Sequence, residues 1–372
     1  MRPYIYISVI LFLAVVILLR ADPVGMDPYY YLHYAGQPQH VADAPFGMPP
    51  LFFYVALIPW QVICVGSLLI FAGLAYLIAK ETNNPDPALA MALISVAPML
   101  AFRFAMPEDD IIGILLGFAF IYCCMRLKPF AGKVVPWLYC NYKGLCVCAI
   151  IAFVGFFTWK LFPIFMVFPL VSWTTKKFWP IIAIGGAAML AASQLNTIVG
   201  ENILGIIAAP ITLFGLIIGL KGIKDAPHTL KMMTIYFLCM GAVAAKFLWL
   251  CILPLALCLS IALQGMKNKD FAIVFLIGVG LMFGAYYTLG AMPTKLHTSD
   301  LKEIANITNG ELIANDWTWG HWLRYYGANP TEDNLSPKWV YSTDPAAEWC
   351  LTENRLPADL VKNFSWVHLY RC

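Results

Sequence analysis

The chain is divided into eleven apolar stretches, each near the ~20 residues that cross the hydrocarbon core of a bilayer. They lie at 4–19, 52–78, 88–102, 111–125, 144–158, 161–173, 178–193, 203–220, 232–245, 247–263 and 271–289. Pro163, Pro180, Pro210 and Pro254 shorten or divide several of them, so the number of spans is about eleven. Such a pattern predicts an α-helical polytopic membrane protein. The composition agrees: 12% of residues are charged, against roughly 25% in a soluble globular domain. The first stretch runs into Arg20 without a small-residue cleavage site, which predicts a retained anchor.

Orientation follows from the Lys and Arg residues of the short loops. One alternate set holds Lys80, Arg126, Lys128, Lys133, Lys143, Lys176, Lys177, Lys221, Lys224, Lys231, Lys267 and Lys269. The other holds only Arg20, Arg103, Lys160 and Lys246. Twelve cations against four put the first set in the cytoplasm. A net charge of +3, sorted by topology in this way, excludes nucleic acid as a partner and leaves the lipid bilayer.

The same sorting brings acidic groups far apart in sequence to the outer face. Gly25-Met26-Asp27-Pro28-Tyr29-Tyr30-Tyr31-Leu32-His33-Tyr34 follows the first stretch, with Asp27 as its chemical centre among interfacial aromatics. Arg103-Phe104-Ala105-Met106-Pro107-Glu108-Asp109-Asp110 precedes the fourth. Carboxylates at the mouth of a helix suit a hard divalent cation such as Mn²⁺ or Mg²⁺ that also bridges to phosphate. On an extended strand Glu108 and Asp110 would point the same way, making them the metal pair with Asp27. Acids that merely complement a helix N-terminus are the bland reading of the same residues.

From Ala291 to Cys372 hydropathy falls and Trp, Asn, Asp and Pro accumulate, which predicts a small mixed α/β outer domain after a transmembrane domain of residues 1–290. Cys350 and Cys372 in this tail form a disulfide or stay as two free thiols. Asn306-Ile307-Thr308, Asn334-Leu335-Ser336 and Asn363-Phe364-Ser365 are N-x-S/T triplets, which show only that the domain is open to modification.

Five segments in order then carry a resemblance. Gly25-x-Asp27-x-Tyr29-Tyr30-x-Leu32 resembles the first acidic motif of the catalytic subunit of oligosaccharyltransferase, and Pro98 with Arg103 and Glu108-Asp109-Asp110 is similar to the second. Ile198-Val199-Gly200-Glu201 resembles the T-I-x-E element of that family's external loop, and Ala245-Lys246-Phe247-Leu248 its Arg-Phe segment beside the donor. Asp316-Trp317-Thr318-Trp319-Gly320 resembles the W-W-D-Y-G signature, with Thr318 in place of the motif Asp and Asp316 in place of the first Trp.

The resemblance implies a GT-C glycosyltransferase in reduced form. It would transfer a glycan, with inversion, from a polyprenyl or dolichyl (pyro)phosphate to the asparagine of an acceptor protein or peptide outside the membrane. Asp27, Glu108 and Asp110 would hold the metal, and Asp27 and Glu201 would hydrogen-bond the acceptor amide. Lys246, Arg103 and His33 would face the donor phosphate. Trp317, Thr318, Trp319 and Gly320 would form the acceptor pocket. Plainer readings stand beside these: Glu201 as a helix cap, Lys246 as a snorkelling lysine, His33 and His321 as structural histidines, and the tryptophans as core or interface anchors. Another lipid-phosphate-sugar transferase, of the protein O-mannosyltransferase or glycan-extending kind, would share the first acidic loop without needing Glu201 or the aromatic signature. A transporter or lipid-handling protein predicts ionisable groups at mid-membrane and an internal repeat, and the sequence carries neither. Further subunits are not addressed by the sequence.

Overall fold

The computed structural model describes residues 3–25, 27–37, 39, 51–97, 103–127, 134–159, 162–173, 219, 221–243, 250–314, 317–331, 339–342, 359–364 and 367–371. The membrane part is built from α1 (Pro3–Leu18), α2 (Asp27–His33), α3 (Phe52–Val55), α4 (Trp60–Glu81), α5 (Pro87–Ser95), α6 (Asp109–Met125), α7 (Val134–Thr158), α8 (Pro163–Trp173), α9 (His228–Val243), α10 (Ile252–Gln264) and α11 (Lys269–Gly290). Among the described residues three helical segments are long and apolar enough to cross a membrane, and α1 and α10 are shorter apolar helices. α1 leaves Ile7, Leu11, Val15 and Leu18 exposed along one side, and α11 does the same with Phe271, Val274 and Met282. Backbone groups satisfied within the helix and an outward apolar surface are what hydrocarbon requires.

Several expected boundaries move for local reasons. The stretch 52–78 is two helices, because Pro59 stands at the N-cap of α4 and cannot donate to a continuing ladder. α5 starts where the Asp86 carboxylate accepts from Leu89 N–H at 2.9 Å with Pro87 in the first turn, and it ends at Ser95. α7 begins ten residues before the expected 144, at Val134. The expected span at 178–193 lies outside the described residues, as does that at 203–220 apart from Gly219. Gly113 and Gly117, one turn apart on α6, let large aromatics close onto the helix backbone. A Cβ there would fall 2.3 Å from Trp159 and 2.2 Å from Phe165, the small-residue contact by which helices associate in lipid.

The outer part holds α12 (Lys295–Thr308), β1 (Leu312–Ala314), α13 (Trp317–Tyr325), β2 (Asn329–Thr331), β3 (Trp339–Ser342), β4 (Asp359–Asn363) and β5 (His368–Arg371). Its sheet runs β2-β1-β3-β5-β4, with β1 parallel to β2 and β3, and β5 antiparallel to β3 and β4. The domain is mixed α/β. Its core of Leu301, Ile304, Ile313, Trp322, Leu323, Trp339 and Leu369 also contains Tyr29 of α2, far earlier in the chain. A residue of α2 thus completes the core around the C-terminal sheet.

Candidate active site

The loop after α1 is held in place by a buried cation. Arg20, 8% exposed, donates from Nε to Asp22 O (3.0 Å), from Nη1 to Thr288 O and Leu289 O (2.5 and 3.3 Å), and from Nη2 to Ala291 O and Pro293 O (3.1 and 2.7 Å). These carbonyls include the last ones of α11, which have no intrahelical partner and carry the negative end of the helix dipole. One planar guanidinium therefore ties the exit of α1 to the exit of α11. Two further bonds continue the seam: Val24 N–H donates to Ala105 O and Gly25 N–H to Met292 O, both at 3.0 Å.

Gly25 is the close approach that lets the two acidic loops meet. Its φ of +89° lies in the left-handed region, and a Cβ would stand 2.6 Å from Met106 Cε and 3.4 Å from Glu108 Oε1. Gly25→Ala is expected to lower stability by about 1–2 kcal/mol through backbone strain. A fall in melting temperature of the detergent-solubilised protein would register it.

Two residues on, Asp27 begins α2 with its carboxylate exposed. Across from it, Glu108 is extended (φ −121°, ψ 163°) at the N-cap of α6, and Asp109 and Asp110 form the first helical turn. This corrects the expectation of a strand-like Glu108 and Asp110 sharing one side by alternation. They are joined instead by Arg103, which pairs with Asp110 and lies 3.5 Å from Glu108. Tyr31, buried in α2, hydrogen-bonds Asp109.

Among the described residues, Asp27, Glu108, Asp109 and Asp110 interact electrostatically with one another and with the guanidinium of Arg103. Glu108, only 4% exposed, has its pKa pushed well above the usual range by burial; Arg103 opposes the shift, while Asp27, Asp110 and Asp109 add to it. Asp109, ahead of the apolar stretch that starts at Ile111, is pushed up to about 8 by burial and by Asp110, with Tyr31 and Arg103 opposing. That mutual repulsion is what an added cation relieves. The donor set is all oxygen, which suits Mg²⁺ or Mn²⁺. By donor chemistry and charge the residues fit such an ion. Among the described residues no three His, Cys, Asp or Glu side chains are placed to chelate it as they stand, and Arg103 holds the place between Glu108 and Asp110.

α13 of the outer domain seats on this loop. Trp322 Nε1 donates to Gly25 O at 2.8 Å and Tyr326 OH to Asp22 Oδ1 at 3.1 Å. The ring of Tyr29 packs against Trp322, Tyr325 and Tyr326 with centroids 5.0–6.3 Å apart. The edge of Tyr30 meets His321 at 5.0 Å.

The structure thus assembles Asp27, Arg103, Glu108 and Asp110. Trp317, Thr318 and Trp319 form the first turn of α13, and Gly320 follows, buried. His33 is exposed in the last turn of α2 with its ring against Tyr34. Glu201 and Lys246 lie outside the described residues, as do Cys350 and Cys372. Arg103, expected at the donor phosphate, is engaged by two carboxylates here. Sequence reasoning passed over Asp109, Tyr31, Trp322 and Arg20. Asp109 had a signal, as the middle of three acids. Arg20 had only its place at the end of an apolar stretch.

No family model matches the sequence, and no curated protein does. Solved structures do match. The chain is 11% identical to ArnT from Cupriavidus metallidurans bound to undecaprenyl phosphate, with a TM-score of 0.58 over 99% of this chain and 97% of that one. It is 12% identical to the archaeal oligosaccharyltransferase AglB from Archaeoglobus fulgidus in complex with an inhibitory peptide and a dolichol-phosphate, with a TM-score of 0.59 over 93% and 70%. A further structure of the Archaeoglobus fulgidus oligosaccharyltransferase, with Zn and sulfate, matches at 12% identity and a TM-score of 0.55 over 91% and 68%. The chain has the GT-C fold of these structures.

Proposed function

We propose that this protein is a membrane glycosyltransferase that moves a glycan from a polyprenyl or dolichyl (pyro)phosphate to an acceptor asparagine at the outer membrane face. The observation that carries this reading is the electrostatic proximity of Asp27 to Glu108, Asp109 and Asp110, beside a loop onto which α13 is tied by the bond from Trp322 to Gly25. Structural likeness to proteins solved with undecaprenyl phosphate and dolichol-phosphate supports the lipid-phosphate donor.

In this reading the bond from the sugar's C1 to the phosphate oxygen breaks as the acceptor nitrogen bonds C1 from the opposite side. The phosphate leaves with the electron pair. An amide nitrogen is a poor nucleophile, so Asp27 hydrogen-bonds its N–H and takes the proton that nitrogen loses, with Glu201 as the second carboxylate. Asp27, Glu108 and Asp110 are the residues that would hold a divalent cation, which would supply positive charge beside the departing phosphate. Lys246 supplies a second positive charge beside it.

A second reading rests on coverage: the match with ArnT spans nearly the whole of both chains, and Thr318 replaces the carboxylate of the acceptor motif. Another lipid-phosphate-sugar transferase with a non-peptide acceptor fits those two facts. Purified protein with isolated lipid-linked oligosaccharide, Mn²⁺ and peptides with and without Asn-x-Thr separates the two, read by mass spectrometry. Glycosylated Asn peptides, lost in excess chelator, are the expected outcome. Donor consumption with every peptide unmodified would overturn the peptide reading and favour the second.

A further inference from the structure

We infer that the cavity between the C-terminal end of α6 and the neighbouring part of α7 binds the phosphate of an anionic phospholipid, at the other end of α6 from the acidic cluster. The cavity has a volume of about 310 Å³, within the roughly 300–1,000 Å³ of ligand sites. Its polar lining includes Arg126, Asn141 and Tyr122, and its apolar lining Leu127, Gly144 and Val147. α6 runs from Asp109 to Met125, so about 25 Å of helix separates Arg126 from the carboxylates at the first turn. Gly144 is where the two helices close under the cavity, since a Cβ there would stand 2.6 Å from Leu127 Cδ2.

The exposed side of α7 places the cavity at headgroup level. Tyr142 is exposed, with Lys143 Nζ 5.8 Å from the centre of its ring. The large exposed side chains that follow are Val147, Ile150 and Phe153. An aromatic ring and a cation, followed within two turns by an apolar face, is the order found where a helix passes from lipid headgroups into hydrocarbon. Val147 belongs both to that face and to the cavity wall, so the cavity opens onto the surface that lipid chains cover.

The chemistry at the mouth selects an anion. Arg126 stands at the C-cap of α6 with its side chain 63% exposed, and its Nη1 donates to Glu81 Oε1 of α4 at 2.6 Å. Glu81 fixes one arm of the guanidinium. The fork of Nε and Nη2 has no partner among the described residues, and such a planar pair of donors matches two oxygens of a phosphate. Arg126 and the exposed Lys143 outnumber Glu81, and a phosphodiester brings the one negative charge that balances them. Asn141, 5% exposed, adds a buried amide to the wall. Leu127 and Val147 offer nothing to a free ion but cover the first carbons of an acyl chain, which favours a lipid over a soluble phosphate. Basic pockets between membrane helices hold lipid headgroups in this way.

The test uses the full chain in neutral detergent as wild type, Arg126→Gln and Glu81→Gln. Phosphatidylglycerol, phosphatidylcholine or inorganic phosphate is added, bound lipid is followed by native mass spectrometry, and melting temperature is recorded. Phosphatidylglycerol is expected to bind wild type and raise its melting temperature saturably. Arg126→Gln is expected to bind it at least about tenfold more weakly, the loss of a charge-assisted hydrogen bond. Glu81→Gln, which takes a carboxylate from the mouth and leaves the guanidinium, is expected to bind it at least as tightly as wild type. Both variants break the same ion pair, so a purely structural role of that pair would move both alike. Unchanged phosphatidylglycerol affinity in Arg126→Gln, or equal losses in the two variants, overturns the inference. Phosphatidylcholine binding as well as phosphatidylglycerol would show that net charge is not read, and inorganic phosphate giving the same shift would assign the cavity to a soluble anion; either result overturns the lipid assignment.

Discussion

Asp27→Asn and Asp110→Asn are each expected to lower glycan transfer by at least about 10²–10³, the loss that follows removal of one group aimed at developing charge. Asp27 is exposed where it begins α2, so its amide variant keeps the packing of Tyr29, Tyr30 and Tyr31 that holds the helix. Its effect should fall on turnover with little change in melting temperature. Asp110 differs because its carboxylate is held by Arg103. Replacing it removes a partly exposed ion pair while the contact of Arg103 with Glu108 remains, so stability shifts only modestly. Rates are measured in membranes supplied with lipid-linked glycan, an Asn-containing peptide and Mn²⁺. Full activity of both variants, or of wild type in excess chelator, would remove the proposed role of these carboxylates.

Arg20→Met should produce the largest loss of stability, about 3 kcal/mol or more. Methionine fills much of the same volume but leaves five backbone carbonyls without the donor they share in the native protein, and each buried acceptor left unpaired costs about 1–3 kcal/mol unless water reaches it. Arg20→Lys should recover only part of the loss, because one ammonium lacks the planar fork that spans Thr288, Leu289, Ala291 and Pro293. Thermal unfolding in detergent measures the difference. Limited proteolysis should show new cleavage near 291–294, where the chain turns from α11 into α12. Arg20→Met melting as wild type would show that the carbonyl cluster is satisfied by solvent.

How far the site was legible depends on the kind of interaction. The acidic loops were visible because carboxylates beside helix ends stand out against apolar stretches, and because charge sorting put both on one face. The partners of those acids were not. Arg103 looked like a cation for the donor, yet it bridges Glu108 and Asp110, carboxylates seven residues or fewer along its own chain. Tyr29 looked like one ring of an interfacial belt and proves to be buried in the outer domain's core.

By itself the sequence determined the membrane-spanning class and the mixed α/β character of the C-terminal part. Those properties follow from transfer free energies that act residue by residue along the chain, so no knowledge of packing is needed to read them. Only the tertiary structure decided that Asp27 meets Glu108, Asp109 and Asp110, that Arg20 ties the exits of α1 and α11, and that Trp322 locks α13 onto Gly25. Such contacts depend on which helices pack as neighbours and on a glycine at position 25 with φ +89° that lets two loops approach, and neither is encoded in the local pattern around any one residue.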